Sequence, residues 1–168
     1  MILIGYHGTT EKTARAILSG KPYLRSNGKK EWLGEGIYFY FDYKDAVNWT
    51  IQKGYANSAV LHNIIQIKNN EFIDLDTEKG KSIFQEVIKA FCESGVPIDN
   101  TKEQQNQCAV ANMIWDRFEE CKLMMGTFHS DRRIMRTLTD PRPTRREFCL
   151  RTSDPIKSIV QVEVIQDD

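Results

Sequence analysis

What limits the fold most is where strand-type and helix-type hydrophobic patterns fall along the chain. Segments 2–6, 36–41, 59–68, 71–75, 147–152 and 156–165 carry branched and aromatic residues in short apolar or alternating runs, which predicts strands. Segments 10–19, 42–55, 77–93 and 104–122 repeat apolar residues every three or four positions, which predicts helices. Strands cluster towards both ends and helices towards the middle, so the expected class is α+β. At 168 residues the chain reads as one domain, 1–168, long enough to bury a sizeable core.

Local signals sharpen these assignments. Thr9 or Thr10 is placed to cap the first helix, with Ala14, Ile17 and Leu18 on its inward side and Gly20 as its stop. Asp42 caps the second helix, with Ala46, Val47 and Ile51 inward. The third aligns Ile83, Val87, Ile88 and Phe91, and the fourth Val110, Ile114, Phe118 and Cys121. Residues 21–33 mix Gly, Pro, Asn and Lys and read as a loop, and 126–145 read as irregular.

Formal charge is zero, so the molecule as a whole offers no attraction to a polyanion. Residues 122–151 are nevertheless locally basic, which suits either a solvated arginine-rich loop or an anionic partner. Cys92, Cys108, Cys121 and Cys149 form no CxxC pair and no zinc spacing, so buried free thiols in a reducing, cytoplasmic setting are expected, with no metal. The opening Met-Ile-Leu-Ile is too short for a signal peptide, and no apolar run is long enough for a membrane helix.

Three short pieces carry chemistry. In Tyr6-His7-Gly8-Thr9-Thr10, a glycine after a strand-end histidine lets a ligand approach the backbone. Its N–H and C=O suit a carboxamide, Thr9 adds a hydroxyl, and the His7 imidazole can hold a ribose hydroxyl. In Gly34-Glu35-Gly36-Ile37-Tyr38-Phe39, alternation puts Tyr38 and Tyr40 on one face and Ile37, Phe39 and Phe41 on the other. Trp49 follows on the next helix, and two aromatic walls suit a cationic aromatic ring. In Arg146-Glu147-Phe148-Cys149-Leu150, a carboxylate opens a strand and can stabilise a sugar cation. Read singly, these pieces are more simply a capped helix start, an aromatic core strand and a surface ion pair.

Taken together, Tyr6-His7-Gly8-Thr9, then Gly34-Glu35-Gly36-Ile37-Tyr38-Phe39 with Trp49, then Glu147-Phe148-Cys149-Leu150, resemble the His-Tyr-Glu branch of the ADP-ribosyltransferase superfamily. This is the branch of the poly(ADP-ribose) polymerases, the diphtheria-toxin-like enzymes, and small bacterial and phage-related relatives. The first two motifs match closely in residue and spacing, the third more loosely, and the middle of the chain matches no motif.

The resemblance implies a split, mostly antiparallel pair of sheets with a central NAD cleft and flanking helices. It implies that His7 binds the nicotinamide-side ribose, Gly8 and Thr9 hold the carboxamide, and Tyr38 and Trp49 sandwich the ring, with His7, Tyr38 and Glu147 as the catalytic set. Ala46 stands where some relatives have a Ser bonded to that amide. NAD would be the co-substrate, without a metal. The expected activity is mono-ADP-ribosyl transfer to a macromolecular acceptor, protein or nucleic acid, met by Arg132, Arg133, Arg136 and Arg145. Small size fits a toxin or anti-phage effector, with a neutralising antitoxin as a further partner and no membrane. An NAD glycohydrolase and an inactive NAD- or ADP-ribose-binding module are the alternatives. The related RNA 2′-phosphotransferases rely on an Arg and His set that has no match here.

Overall fold

The computed structural model describes residues 1–95, 101–129 and 144–165. Its elements are β1 (Ile2–Thr10), α1 (Glu11–Leu18), β2 (Ile37–Tyr40), α2 (Tyr43–Gln52), β3 (Ser58–Gln66), β4 (Phe72–Asp74), α3 (Glu78–Glu93), α4 (Glu103–Arg117), β5 (Leu123–His129), β6 (Thr144–Leu150) and β7 (Ile156–Ile165). The fold is α+β: four helices lie with one open seven-stranded sheet of order β4-β5-β6-β2-β1-β3-β7. Every neighbouring pair is antiparallel except β4 with β5.

A pair of separate sheets was expected, and the structure joins them into one, but only narrowly. β1 and β3 pair along nine positions, from Ile2↔Gln66 to Thr10↔Ser58. β1 and β2 pair at Tyr6↔Tyr40 alone. The sheet is therefore two halves, β4-β5-β6-β2 and β1-β3-β7, meeting at one residue pair. Just beyond it, a side chain takes over from the backbone: His7 Nδ1 bonds the Tyr38 carbonyl at 2.8 Å.

The halves bury different cores. Ile37, Phe39, Phe148 and Leu150 share one face of the β2-β6 ladder, where Phe39 and Phe148 stack at 5.2 Å. On the opposite face, α3 and α4 bring Val87, Phe91, Ile114 and Trp115 against Met124 and Cys149. α1 packs Ala14 and Ile17 on Ala59 and Leu61. α2 packs Ala46 beside Val60 and Tyr40.

Thr10, Asp42 and Thr77 cap α1, α2 and α3, each accepting a backbone N–H from the first turn. The inward faces hold for Ala14, Ile17, Ala46, Val87 and Phe91. Leu18, Ile51 and Ile88 are exposed, because each helix meets the sheet along a stripe narrower than its apolar face. Thr50 is buried instead of Ile51 and returns its hydroxyl to the Val47 carbonyl. α4 ends at Arg117, so Cys121 lies in the turn that starts β5, not on the helix. Residues 126–129, expected to be irregular, form the second half of β5. All four thiols are free; Cys92 is exposed and the others are buried. Among the described residues no helix is long and apolar enough to cross a membrane.

Candidate functional site

Strand alternation and register together aim the key side chains. Tyr38 pairs with Cys149 and Tyr40 with Glu147 across β2 and β6. Directly opposed residues share a face, so sending Phe39 and Phe148 to the core turns Tyr38, Tyr40 and Glu147 to the other side. There they meet the end of β1 and α2 around a cavity of about 750 Å³. His7, Gly8, Thr9, Tyr38, Trp49, Arg145 and Glu147 all line it. Arg132, Arg133 and Arg136 lie outside the described residues.

The His7 ring is packed edge-on against Tyr23 at 5.2 Å. A carbonyl only accepts, so Nδ1 carries the proton towards Tyr38 and Nε2 is left as an acceptor. Burial lowers the His7 pKa below 6.5, opposed in part by that hydrogen bond, and the ring is neutral at pH 7. A neutral imidazole whose Nε2 has no partner among the described residues can accept a hydrogen bond from a hydroxyl.

Tyr38 is held twice at its hydroxyl. The hydroxyl donates to Gly34 O at 2.7 Å and accepts from Leu33 N at 2.9 Å. Burial first, then the charges of Cys149, Glu147 and Glu31, raise its pKa well above 10, so it stays a donor. Trp115 Nε1 donates to Leu33 O at 2.8 Å, and Asn112 Oδ1 accepts from Glu35 N at 2.7 Å. The Gly34-Glu35-Gly36 turn is thus fixed by three side chains, two of them from α4.

Gly8 sets the distance between β1 and α2. A Cβ there would stand 2.7 Å from Ala46 O, 2.8 Å from Thr50 Cγ2 and 3.4 Å from Trp49 Cε3. Gly8→Ala must therefore displace the helix that carries Trp49. The expected loss is between roughly 1 and 3 kcal/mol, as for other overpacked sites, read as a lower denaturation midpoint with unchanged m-value.

Glu147 is 5% exposed and lines the cavity. Burial pushes its pKa up to about 7; the Arg145 guanidinium pulls it down, and Glu31 and Asp45 raise it further. Arg145 itself sits over the Tyr40 ring at 5.5 Å, inside the cavity. The rival carboxylates stand elsewhere. Glu35 is exposed, and Glu163 on β7 bonds Gln161 and faces His62.

A carboxyl whose folded pKa lies above its usual 4.5 favours folding while protonated, and that contribution is lost as pH rises from 4.5 through about 7. Glu147→Gln removes the titration. We expect the variant to be more stable than the parent at pH 8, by roughly 3 kcal/mol at about 1.36 kcal/mol per pKa unit. The gap should close towards pH 4.5. Equal stability of the two proteins at pH 8 would contradict the buried, strained carboxyl.

Residues 21–36 contribute more to this cavity than their loop composition suggested: Arg25, Lys30, Glu31 and Trp32 line it too. Lys53 and Tyr55, at and beyond the end of α2, also line it, with Lys53 Nζ 5.2 Å from the Trp49 ring centre. The available signal was the crowding of charged and aromatic residues immediately before the Gly34-Glu35-Gly36 turn.

No family model matches the chain, and no solved structure matches it. Among curated proteins it is similar to the uncharacterized protein MJ0359 of Methanocaldococcus jannaschii, with 31% identity over 124 residues. That match covers 70% of this chain and 57% of the relative, so the chain spans less than two thirds of the relative's length. The likeness assigns no activity.

Proposed function

We propose that the protein is an NAD-dependent mono-ADP-ribosyltransferase of the His-Tyr-Glu type, acting on a macromolecular acceptor. The observation that carries this reading is convergence: His7, Gly8 and Thr9 from β1, Tyr38 from β2, Trp49 from α2 and Glu147 from β6 line one cavity. Its volume falls within the ~300–1,000 Å³ usual for small-molecule sites.

In this reading the nicotinamide ring lies against Tyr38 with Trp49 towards its other face, where π clouds attract its positive charge. The Gly8 backbone and Thr9 hold its carboxamide. His7 Nε2 accepts from a hydroxyl of the adjoining ribose. Arg25, Lys30 and Lys53 supply positive charge for the pyrophosphate. The nicotinamide–ribose bond then breaks, its electron pair returning to the ring nitrogen, so nicotinamide leaves neutral and needs no acid. Positive charge develops on the ribose instead, and the Glu147 carboxylate stabilises it. A bound cation favours the ionised form of Glu147 and draws its pKa down from about 7. The acceptor's lone pair completes the transfer at the ribose carbon.

Incubating the protein with biotinylated NAD and a cell lysate tests this. Label retained by macromolecules supports transfer, and digesting samples separately with nuclease and protease names the acceptor class. Nicotinamide release without label would mean that water is the acceptor. With neither label nor nicotinamide, the reading fails.

A further inference from the structure

The cavity holds a second carboxylate. Glu31 lines it together with Glu147, and its charge is felt at Glu147, Tyr38 and Cys149. Its position is built rather than incidental. Ser26 Oγ donates to Glu31 Oε1, which fixes the carboxylate's orientation. Gly28 leaves the space it occupies, since a Cβ there would stand 2.9 Å from Oε1. The backbone on either side is pinned: Gly34 N donates to Glu31 O at 3.2 Å, and the Tyr38 hydroxyl holds Leu33 N and Gly34 O. The Tyr38 ring, assigned to stack on nicotinamide, and the segment carrying Glu31 are therefore tied together by hydrogen bonds.

Transfer of ADP-ribose leaves one proton to place. Nicotinamide departs neutral and takes none, whereas an acceptor O–H or N–H must lose one as it bonds to the ribose carbon. Glu147, buried beside Arg145, is committed to the sugar cation. We propose that Glu31 is the general base that takes this proton, so the site divides its work between two carboxylates: one stabilises the cation and one deprotonates the incoming O–H or N–H nucleophile. This rests on the NAD-dependent reading above. Atoms balance: the ribose–nicotinamide bond breaks with its electrons going to nicotinamide, the acceptor–ribose bond forms, and the acceptor proton passes to the Glu31 carboxylate.

Azide distinguishes a base from a merely structural carboxylate, because it is a nucleophile with no proton to lose. NAD binding by calorimetry and nicotinamide release would be measured for the parent, Glu31→Gln and Glu31→Ala, in buffer and with sodium azide. Both variants should bind NAD within about threefold of the parent and release nicotinamide roughly a hundredfold more slowly in buffer, the low end for loss of one general base. Azide should restore Glu31→Ala by at least about tenfold, with ADP-ribosyl azide detected by mass spectrometry, as expected where only proton removal was missing. Parental rates in both variants would overturn the role of Glu31 while leaving the NAD reading intact, as would azide failing to restore a variant that binds NAD normally. A parent protein that neither binds NAD nor releases nicotinamide would overturn the underlying reading and this assignment with it.

Discussion

Replacing Glu147 by Gln is expected to lower NAD turnover by roughly a hundredfold or more, the usual consequence of deleting one electrostatic stabiliser. Size and most hydrogen-bonding capacity survive the change, so NAD affinity should shift by no more than a few-fold. The lost interaction belongs to the charged transition state, not to the bound substrate. The site explains why the effect should be large. This residue is 5% exposed, feels the Arg145 guanidinium, and carries a pKa raised to about 7 by burial. A charge held in such a place is undersolvated and acts strongly on whatever cation forms beside it. The parent's kcat/KM for NAD should rise with pH through an inflection near 7, the free-enzyme value of Glu147. Glu147→Gln should lack that inflection. Glu35→Gln and Glu163→Gln serve as controls, since one carboxylate is solvated and the other lies on β7 against Gln161 and His62. Should either control abolish turnover while Glu147→Gln keeps it, Glu147 is not the catalytic carboxylate.

Tyr38→Ala is expected to have the second largest effect, on binding and folding together. Losing the ring removes a stacking wall, worth about 0.5–1.5 kcal/mol beyond area burial and so close to tenfold in NAD affinity at its upper end. It also empties a buried aromatic site, at about 3–5 kcal/mol of stability. Tyr38→Phe separates the two contributions. It keeps the ring, so affinity should hold within a few-fold. It strips the hydroxyl from Gly34 O and Leu33 N, at a loss of about 1–3 kcal/mol for leaving buried groups unpaired. Calorimetric titration and denaturant unfolding on both variants check this. Equal loss of affinity from the two would remove Tyr38 from the stacking role.

Much of this was legible in the residues because local rules and tertiary structure agree along β2. The alternation of Ile37, Tyr38, Phe39 and Tyr40 told which rings enter the core and which face the cavity. Glu147 was expected to open a strand; it stands in the middle of β6, where its inward neighbour Phe148 turns it to the cavity. Caps at Thr10, offered beside Thr9, and at Asp42 were readable because each supplies a short oxygen-bearing side chain before an apolar period; Thr77, expected as part of the third helix, caps it instead.

What escaped notice depends on partners distant in sequence. β5, Leu-Met-Met-Gly-Thr-Phe-His, lacks alternation because it lies between β4 and β6 and is buried on both faces at Leu123, Met124 and Met125. The early end of α4 is a tertiary matter too. Phe118 continues the apolar period, but the chain must turn there to bring Leu123 alongside Phe72. The narrow joint between the sheet halves leaves no local signature, since it consists of one pair, Tyr6↔Tyr40. Glu31 was hidden in a loop whose composition says only that it turns; its orientation comes from Ser26 and Gly28 folding back upon it.

The most direct test of the account is a crystal structure of the Glu147→Gln protein grown with NAD, which the slowed turnover should preserve intact. The nicotinamide ring is expected against Tyr38, with ring centroids ~4.5–7 Å apart, its ribose beside His7 Nε2 and residue 147, and its pyrophosphate towards Arg25, Lys30 and Lys53. NAD bound elsewhere on the molecule, or this cavity closed to it at saturating concentration, would contradict that placement and the function built on it.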